Sequence, residues 1–580
     1  MISEQCLPGF SDLVVDRDVA ARMRDGTALY ADVYRPSSGG PFPVVLMRLP
    51  YDKAQAESNV TYHHPSWYAQ QGYVVVVQDT RGRWRSEGDF YPFAQEAEDG
   101  YDTVEWAASL PNSNGRVGMY GFSYVGATQL QAALSRPPSL QTICPGLTGS
   151  QHYEGWAYNG GAFDLAFNAS WAAYLAMDDA RRRGDDAATQ HLNAAFLGAP
   201  NFYGYLPLEE YPPLVGSDFG RYFFDWMQHP SYDNYWRRWS VDEDYSRIDV
   251  PAMHVGGWYD VFISGTVKNF EGLRQQAGSE GSRAAQKLLV GPWYHLPWAR
   301  LTGATDFGPE ARNVVDGWQL RWFDRFLRDE DTGVSDSPVT VFLMGEDRWV
   351  DESSWPPEGT EFRDYYLRSG GSANSINGDG ELDLEPPDRE PPDVYVYDPL
   401  FPVPSSGGHS CCFPIIAPMG PADQAEVEIL NGVLVYTSAR LEDDLTVIGP
   451  VGVTLHAATS APDTDFTAKL CDVSPEGRST NVQEGIVRAR YRESLSDPTP
   501  ITPEEVYEYR IDLGPTAHVF KAGHQIRVQI SSSDFPQWDR NLNTGGPLGS
   551  EGAARARVAT QTVLHDAGHP SRMTLPVVER

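Results

Sequence analysis

Residues 121–126, Gly-Phe-Ser-Tyr-Val-Gly, carry the most reactive arrangement in the sequence. They follow the apolar run 116–120 and open a helix-like run at Tyr124. A serine at a sharp turn from a strand into a helix is exposed at the end of the sheet, and small neighbours permit the strained backbone. We therefore predict that Ser123 is a nucleophile. Val125 replaces the second glycine of the usual G-x-S-x-G motif, so a serine that only caps a helix is the alternative.

Two later strand ends supply the partners that such a nucleophile needs. Asp260 follows the apolar run 252–255 through Gly-Gly-Trp-Tyr, and His295 follows the run 287–290 through Gly-Pro-Trp-Tyr. In α/β-hydrolases the acid and then the histidine come after the serine, at the ends of later strands. We predict that neutral His295 is the base for Ser123 and that ionised Asp260 orients it. The alternatives are a strand-end cap for Asp260 and a packed loop residue for His295.

The tetrahedral intermediate of acyl transfer also needs hydrogen-bond donors for its oxyanion. The backbone N–H of Tyr124, the residue after the nucleophile, is one predicted donor. The side chain of Tyr51, in the loop after the apolar run 44–47, is a second candidate, because a phenol with a pKa of about 10 stays protonated at neutral pH. Position alone favours an ordinary surface-loop tyrosine.

Short apolar runs predict a largely parallel sheet. Residues 12–35 alternate apolar and polar side chains on either side of Asp25-Gly26, which predicts an opening β-hairpin. Unbroken apolar runs are typical of strands that are covered on both faces. Such runs occur at 43–47, 73–78, 116–120, 252–255 and 287–290. The long gap before residue 252 predicts an insertion in this α/β architecture.

The insertion, residues 146–240, lacks apolar β-runs and is rich in alanine and aromatic residues. Phe163, Phe167, Trp171 and Tyr174 fall at spacings of four, four and three, which predicts one face of a helix. This stripe is either the apolar core of a helical cap or, in part, the roof of a pocket.

From about residue 337 the pattern changes to short strands separated by glycine, proline and aspartate turns. The strands are predicted at 339–343, 394–397, 434–436, 451–455 and 526–530. This pattern predicts an all-β, jelly-roll-like sandwich. The breaker-rich stretch 369–392 is predicted to be either a flexible linker or an ordered excursion, and the strand-like residues before it favour the excursion. The predicted domains are a catalytic α/β-hydrolase domain of residues 1–145 and 241–336, a helical cap of residues 146–240, and a β-sandwich of residues 337–580.

Composition narrows the class of function. Of the 580 residues, 41% are hydrophobic and 12% aromatic, which is enough for two or three domains. The net charge of −34 repels nucleic acid and anionic membranes. Solubility explains this charge, with attraction of a cationic substrate as the alternative. No apolar run of about 18 residues occurs, and the first ten residues lack a signal-peptide pattern, so we expect a cytoplasmic protein.

Cysteines and histidines give little sign of a metal site. Five cysteines, an odd number, indicate a reducing compartment. Cys411 and Cys412 could share a strained disulfide or bind metal, but no second pair lies at zinc spacing, so two free thiols are predicted. His565 and His569 have a ligand-like spacing only in a helix, and the neighbouring glycine and proline favour a loop. His254, inside a predicted strand, is predicted to be a buried core residue. No metal and no cofactor are expected.

Seven short motifs give the chain a resemblance to a known family. They are residues 48–53, 78–83, 121–126, 257–260, 291–295, 397–399 and 533–540. Over nearly its whole length the chain is similar to the bacterial cocaine esterase-like family of α/β-hydrolases, relatives of X-Pro dipeptidyl-peptidases and α-amino acid ester hydrolases. The resemblance implies a hydrolase domain, an inserted cap and a C-terminal jelly roll. It implies that Tyr51 gives the oxyanion hydroxyl and that Trp156, Trp171 and Phe262 wall the acyl pocket, with core packing as the alternative.

The sequence thus predicts a cofactor-free serine hydrolase that cleaves esters of an apolar or aromatic acyl group through an acyl-enzyme. The expected partner is a small-molecule ester, and the sequence leaves a homodimer open. The rival activities are those of an α-amino acid ester hydrolase, an amidase or acylase, or a dipeptidyl-peptidase. For these, Asp164, Asp178 and Asp179 are the candidate carboxylates for a substrate ammonium, although solvated helix faces are the favoured explanation. A ligand-binding protein with a vestigial triad is the non-enzymatic alternative. Asp79 and Arg81 are predicted to pair and brace the loops around the site, with substrate contact as the alternative.

Overall fold

The computed structural model describes residues 12–58, 61–296 and 298–580. The amino-terminal pattern on which the predicted compartment rests lies outside these residues, so the compartment stays a prediction. None of the helices that the described residues form is long and apolar enough to cross a membrane.

The amino-terminal part of the chain alternates strands with helices. Its strands are β1 (Leu13–Arg22), β2 (Ala28–Pro36), β3 (Phe42–Leu49), β4 (Val74–Asp79), β5 (Ser113–Phe122) and β6 (Leu140–Gly146). Its helices are α1 (Gln55–Ser58), α2 (Pro65–Gln70), α3 (Glu96–Ala108) and α4 (Tyr124–Leu134). The predicted hairpin is confirmed, because β1 and β2 pair antiparallel. Gly26 in its turn has a φ of 89°, which favours glycine.

The insertion after β6 is largely helical, as predicted. It forms a short hairpin, β7 (Tyr158–Asn159) with β8 (Ala162–Phe163), and the helices α5 (Leu165–Arg182), α6 (Asp186–Leu197), α7 (Tyr222–Gln228) and α8 (Asn234–Arg237). Phe163 lies in β8 rather than on α5, so the predicted aromatic stripe begins at Phe167. Phe167 and Trp171 are buried in the cap.

The chain then returns to the first sheet. The returning strands are β9 (Ala252–Tyr259), β10 (Gln286–Tyr294), β13 (Val339–Leu343) and β14 (Arg348–Glu352), with helices α9 (Ile263–Gln276), α10 (Glu280–Ala284) and α11 (Val315–Arg328). Between β10 and α11, β11 (Leu301–Thr302) and β12 (Thr305–Asp306) form a separate two-stranded sheet. Among the described residues, ten strands form one sheet in the order β1-β2-β4-β3-β5-β6-β9-β10-β13-β14. The strands from β4 to β13 in this order run parallel.

One strand was assigned to the wrong region. Residues 339–343 were predicted to open the all-β region, but β13 pairs parallel with β10, and β14 pairs antiparallel with β13. The five residues of β13 are all buried. A short apolar run has the same pattern in either kind of sheet, so its partner strand cannot be inferred from the sequence. The predicted domain bounds stay predictions.

The remainder of the chain is an all-β domain. Its strands are β15 (Glu361–Arg368), β16 (Glu381–Asp383), β17 (Asp393–Tyr397), β18 (Leu434–Ser438), β19 (Leu445–Thr459), β20 (Asp465–Val473), β21 (Ser479–Arg488), β22 (Tyr507–Phe520), β23 (Gln525–Ser531), β24 (Ala559–Leu564) and β25 (Arg572–Val577), with helix α12 (Ala425–Glu428). The breaker-rich stretch contains β16, which pairs with β15 and β18, so it is an ordered excursion. The jelly-roll topology itself stays a prediction.

The central strands are buried, and their parallel direction determines at which end of the sheet the turns that follow them meet. All six residues of β4 and all eight of β3 are buried, and each fully buried valine contributes roughly 1.5–3 kcal/mol. Strand β6 lies between β5 and β9, and β10 lies next to β9. Because these strands are parallel, the turns after β5, β9 and β10 meet at one edge, where ligands bind in sheets of this kind.

Candidate active site

Ser123 occupies the turn between β5 and α4. Its φ of 65° and ψ of −133° are rare for a residue with a side chain, a strain that is typical of functional turns. The Ser123 N–H donates to the carbonyl oxygens of Gly146, at 2.9 Å, and Leu147, at 3.1 Å. Its side chain makes no capping hydrogen bond to α4, contrary to the helix-cap alternative.

The neighbouring glycines explain why this turn departs from the usual motif. A Cβ atom at Gly121 would collide with the Val125 side chain. A Cβ atom at Gly126 would lie 2.7 Å from the Gly146 carbonyl oxygen. The second glycine is therefore needed one position later, where α4 crosses the end of β6, and a valine is accommodated before it.

The structure brings the three predicted triad residues together. His295 Nε2 lies 2.9 Å from Ser123 Oγ, and His295 Nδ1 lies 2.7 Å from Asp260 Oδ1. Since an ionised carboxylate only accepts hydrogen bonds, Nδ1 carries a proton and Nε2 of the neutral ring accepts from the serine. The exposed fractions are 9% for Ser123, 3% for His295 and 0% for Asp260. The three groups therefore form a continuous hydrogen-bonded chain that is shielded from water.

Two tryptophans fix the strand ends that carry the acid and the histidine. The Trp258 indole N–H donates to the Phe342 carbonyl oxygen at 2.7 Å, and the Trp293 indole N–H donates to the Ala311 carbonyl oxygen at 2.7 Å. A Cβ atom at Gly291 would lie 2.5 Å from the Trp293 ring. The Gly and Trp residues of the two motifs thus set the direction in which the chain leaves the sheet.

Tyr51 lies beside the nucleophile. Its hydroxyl accepts a hydrogen bond from the Trp171 indole N–H at 3.1 Å, which leaves the hydroxyl proton free to donate. Burial raises the pKa of Tyr51 well above its usual value, although hydrogen bonding with Trp171 and Ser123 opposes the rise. The phenol is therefore protonated at neutral pH and has the donor that an oxyanion requires.

Tyr124 begins α4, and the first N–H groups of a helix have no partner within it. The backbone N–H of Tyr124 is the predicted oxyanion donor, whereas the side chain has other partners. The Tyr124 hydroxyl donates to Glu96 at 2.8 Å and accepts from the Phe93 N–H at 3.0 Å. Glu96 also forms a buried ion pair of 2.9 Å with Arg48. These contacts hold the start of α4 in place, and the helix dipole adds positive potential there.

Asp79 and Arg81 do not pair with each other, so that prediction is wrong. Arg81 instead pairs with Asp99 at 2.6 Å and Asp25 at 2.7 Å, because the chain turns away after β4. The Asp79 carboxylate accepts from the Lys53 N–H at 2.7 Å, which holds the loop that carries Tyr51. Burial raises the pKa of Asp79 to about 7.

Arg83 connects the Tyr51 loop to the cap, a role that the sequence did not reveal. Its buried guanidinium donates to the carbonyl oxygens of Pro50 and Leu175, both at 2.9 Å. It also pairs with Asp179 at 3.1 Å and with Asp178 at 3.4 Å. Trp171, the hydrogen-bond donor to the Tyr51 hydroxyl, lies on the same helix, α5. Arg83 therefore sets the position of the Tyr51 loop relative to Trp171.

The predicted pocket residues form one aromatic cluster next to the histidine. Phe262 lies edge-on to the His295 ring at 5.2 Å between centroids, and Trp156 stacks on Phe262 at 4.2 Å. Trp171 lies 5.6 Å from Trp156. All three predicted residues are buried. The cluster therefore extends from the base to the candidate oxyanion tyrosine.

Three further residues join this cluster: Phe93 and His152, which were not predicted for it, and Phe167, which belongs to the predicted aromatic stripe of the cap. Phe93 stacks on the His152 ring at 3.6 Å and lies edge-on to Trp156 at 5.0 Å. Phe167 stacks on Trp171 at 5.6 Å. Burial lowers the pKa of His152 to about 3, so this ring is neutral. Phe93 and His152 lie in irregular loops, where no periodicity indicates a direction.

The all-β domain contributes a loop to the site. Cys411 and Cys412 in this loop are joined by a disulfide, so the prediction of two free thiols is wrong. Both belong to the same apolar cluster as Trp156 and Phe262. The prediction rested on the number of cysteines and on the lack of a second pair at zinc spacing, and neither feature shows how this loop packs. The loop also contacts the cap, because the Tyr203 hydroxyl donates to the Ile416 carbonyl oxygen at 3.1 Å.

His409 anchors this loop to the strand end that carries Asp260. Its Nδ1 lies 2.7 Å from Glu484 Oε1, and its Nε2 donates to the Trp258 carbonyl oxygen at 2.7 Å. Burial lowers the pKa of His409, but the Glu484 carboxylate outweighs burial and raises it above the usual value. His409 therefore connects the β-domain loop to Trp258, two residues before the proposed acid Asp260.

The carboxylates proposed for a substrate ammonium already have protein partners. Asp164 accepts from the Asn159 amide at 2.9 and 3.0 Å. Asp178 pairs with Arg181 at 2.6 Å, and Asp179 pairs with Arg83. These contacts favour structural roles for all three.

The three other histidines with a prediction from the sequence, His254, His565 and His569, agree with it. His254 is buried in β9, 3.1 Å from the Gln286 side-chain oxygen, and burial lowers its pKa to about 4. His565 and His569 lie outside any helix. His565 instead forms hydrogen bonds with Asp393 at 2.9 Å and Glu390 at 3.2 Å.

A parallel sheet with a strained serine turn after β5 and a histidine after β10 defines an α/β-hydrolase. Residues 25–297 match the family model described as X-Pro dipeptidyl-peptidase (S15 family), and residues 332–574 match the X-Pro dipeptidyl-peptidase C-terminal non-catalytic domain. The chain is 38% identical to the cocaine esterase of Rhodococcus sp. (strain MB1 Bresler), over 98% of this chain and 99% of the relative. The chain therefore belongs to the cocaine esterase-like family of S15-type serine hydrolases.

Solved structures agree with this assignment. An α-amino acid ester hydrolase superposes with a TM-score of 0.81 and 27% identity, covering 100% of both chains. An aminopeptidase from a marine sediment Thaumarchaeota archaeon also gives a TM-score of 0.81, with 26% identity and coverage of 100% and 98%. Together these relatives include esterases and peptidases.

Proposed function

We propose that this protein is a serine esterase that cleaves carboxylic esters of an apolar or aromatic acyl group through an acyl-enzyme. The observation that carries the proposal is the buried hydrogen-bonded chain from Ser123 through His295 to Asp260. A serine hydroxyl is a weak nucleophile until an imidazole takes its proton, and a carboxylate stabilises the imidazolium that forms. The arrangement meets both conditions within normal hydrogen-bond distances.

The first half of the reaction forms the acyl-enzyme. Ser123 Oγ attacks the ester carbonyl while its proton moves to His295 Nε2. The negative charge on the carbonyl oxygen is stabilised by the Tyr51 hydroxyl and the Tyr124 N–H. His295 then gives its proton to the leaving alcohol, and the carbonyl re-forms on Ser123.

The second half repeats these steps with water. His295 takes a proton from a water molecule, which attacks the acyl carbonyl, and the same two donors stabilise the second oxyanion. The acid leaves and the proton returns to Ser123. Asp260 stays ionised and holds the imidazole throughout.

The aromatic cluster supports the choice of acyl group. Trp156, Phe262 and Trp171 are buried and contact one another between His295 and Tyr51. Apolar walls of this kind bind apolar or aromatic groups and discriminate modestly among them. Amino acid esters and amides are less favoured, because the three candidate carboxylates are engaged by protein groups.

Labelling and turnover test this proposal together. A fluorophosphonate probe should label Ser123, and a panel of aromatic and short-chain esters should be hydrolysed faster than aminoacyl anilides. Absence of labelling would support a ligand-binding protein with a vestigial triad. A clear preference for α-amino esters or anilides would support the rival hydrolase activities.

A further inference from the structure

The disulfide of the β-domain loop lies against the proposed catalytic base. One ligand atom each from His295, Cys411 and Cys412 lies within 4.8 Å of the other two. Cys411 is buried and Cys412 is half-buried. As a disulfide, these sulfurs are poor metal ligands, since metals bind the thiolate.

Reduction changes this chemistry. Two electrons and two protons convert the disulfide to two thiols; with a phosphine reductant, the phosphine becomes its oxide and water supplies the oxygen and the protons. Each thiol then loses a proton when its sulfur binds a cation. Two thiolates and one imidazole are a donor set that suits soft divalent cations.

We propose that, in the reduced protein, Cys411, Cys412 and His295 form an inhibitory binding site for a soft divalent cation such as Zn²⁺ or Cd²⁺. The inhibitory part rests on the proposed esterase function, whereas the binding site does not. From Zn–S and Zn–N bonds of about 2.3 and 2.0 Å, ligand atoms of a tetrahedral site are roughly 3.3–3.8 Å apart. To reach that geometry the imidazole nitrogen would approach the sulfurs by at most about 1.5 Å, and the two sulfurs, released from their bond of about 2 Å, would separate by about 1.7 Å.

Binding at His295 stops the reaction whichever ring nitrogen is used. Nε2 faces Ser123, so a cation there removes the base. Nδ1 faces Asp260, so a cation there displaces the group that orients the ring. With the cation on Nε2, the Nδ1–H still donates to Asp260, and a carboxylate behind a metal-bound histidine strengthens binding.

Cadmium titration tests the site directly. Protein reduced with a phosphine and exchanged into anaerobic buffer should bind one Cd²⁺ with ultraviolet thiolate-to-cadmium charge-transfer absorbance. Its hydrolysis of an aromatic ester should fall at least tenfold at one equivalent and recover with a chelator. Oxidised protein should show neither effect at that ratio.

Variants separate this site from the other cysteines. The double variant C411S/C412S should lose the absorbance band, and Cys412→Ser alone provides a second test if the double variant folds poorly. Cys471→Ser, which removes a buried cysteine in β20, should keep the band. For each variant, the rate of ester hydrolysis with Cd²⁺ is compared with the rate of the same variant without metal.

The outcomes distinguish the two proposals. The Ser123→Ala variant should keep the band, since it retains all three ligands. A band without any esterase turnover in the wild type would overturn the esterase proposal but leave the site standing. An unchanged band in C411S/C412S, no band in the reduced wild type, or equal inhibition of oxidised protein would overturn the site.

Discussion

The triad rim and the proposed aromatic pocket are built in different ways, although they share His295. The rim consists of the turns after β5, β9 and β10, and each turn is determined by its own few residues. Gly121 and Gly126 permit the serine turn, while Trp258 and Trp293 anchor the others. The pocket instead combines side chains from the cap, the sheet and the β-domain loop, which contact each other across large separations in sequence.

This difference teaches which properties are local. The rate of the proposed reaction should fall sharply when a single polar atom of the rim is removed, because each group acts through specific hydrogen bonds. Pocket properties should depend on packing, so that substitutions shift selectivity gradually. The predictions that follow test this contrast in order of decreasing effect.

The largest effect is expected at the rim. Ser123→Ala should lower kcat by at least about 10⁴-fold, because it removes the proposed nucleophile while its volume is easily accommodated. Ester turnover and the thermal unfolding midpoint are the measurements. Ser231→Ala in the cap is the matched control and should keep wild-type turnover. Substantial activity in Ser123→Ala would show that the rim does not perform the reaction.

Tyr51→Phe should lower kcat by about 10²-fold, in line with loss of one oxyanion donor, with a smaller change in KM. The ring stays in place, so packing is preserved. Tyr174→Phe is the control, because the Tyr174 ring lies 5.8 Å from the Tyr51 ring yet has no role in the proposed reaction. An unchanged kcat in Tyr51→Phe would show that the Tyr51 hydroxyl is not an oxyanion donor.

Trp156→Leu should change selectivity rather than chemistry. The ratio of kcat/KM for a benzoate ester over an acetate ester should fall about tenfold, because the aromatic surface against Phe262 is lost. Trp106→Leu, a half-buried position in α3, should leave the ratio unchanged. An equal loss for both esters would mean that Trp156 supports the rim rather than the pocket.

The smallest effect on activity is expected deeper in the sheet, at His254. Burial lowers its pKa from 6.5 to about 4. Between these two pH values the histidine is protonated in the unfolded chain and neutral in the folded protein. This group should therefore cost up to roughly 3 kcal/mol of stability as pH falls from 6.5 through 4.

The stability of His254→Asn should accordingly depend less on pH than that of the wild type in denaturant unfolding between pH 4 and 7. The exposed control His191→Asn should keep the wild-type slope. Parallel curves for His254→Asn and the wild type would contradict the assigned cause.

The contrast also explains what could be predicted from the sequence. The strands around Ser123, Asp260 and His295 were found because buried parallel strands have unbroken apolar runs, and their turn residues follow at once. The partner of Arg81 and the sheet of residues 339–343 were missed, because each depends on a tertiary neighbour. The role of Trp171 as a donor to Tyr51 and the bond between Cys411 and Cys412 required the same long-range information.

Arg83 adds a consequence for how substrate enters. The Arg83 guanidinium donates one hydrogen bond to the Pro50 carbonyl oxygen and another to the Leu175 carbonyl oxygen in α5. Any movement of the cap away from the sheet would therefore also displace Tyr51, the residue after Pro50. An open cap would thus leave the reacting oxygen poorly supported. The proposed ester hydrolysis would therefore require the cap to stay seated against the Tyr51 loop.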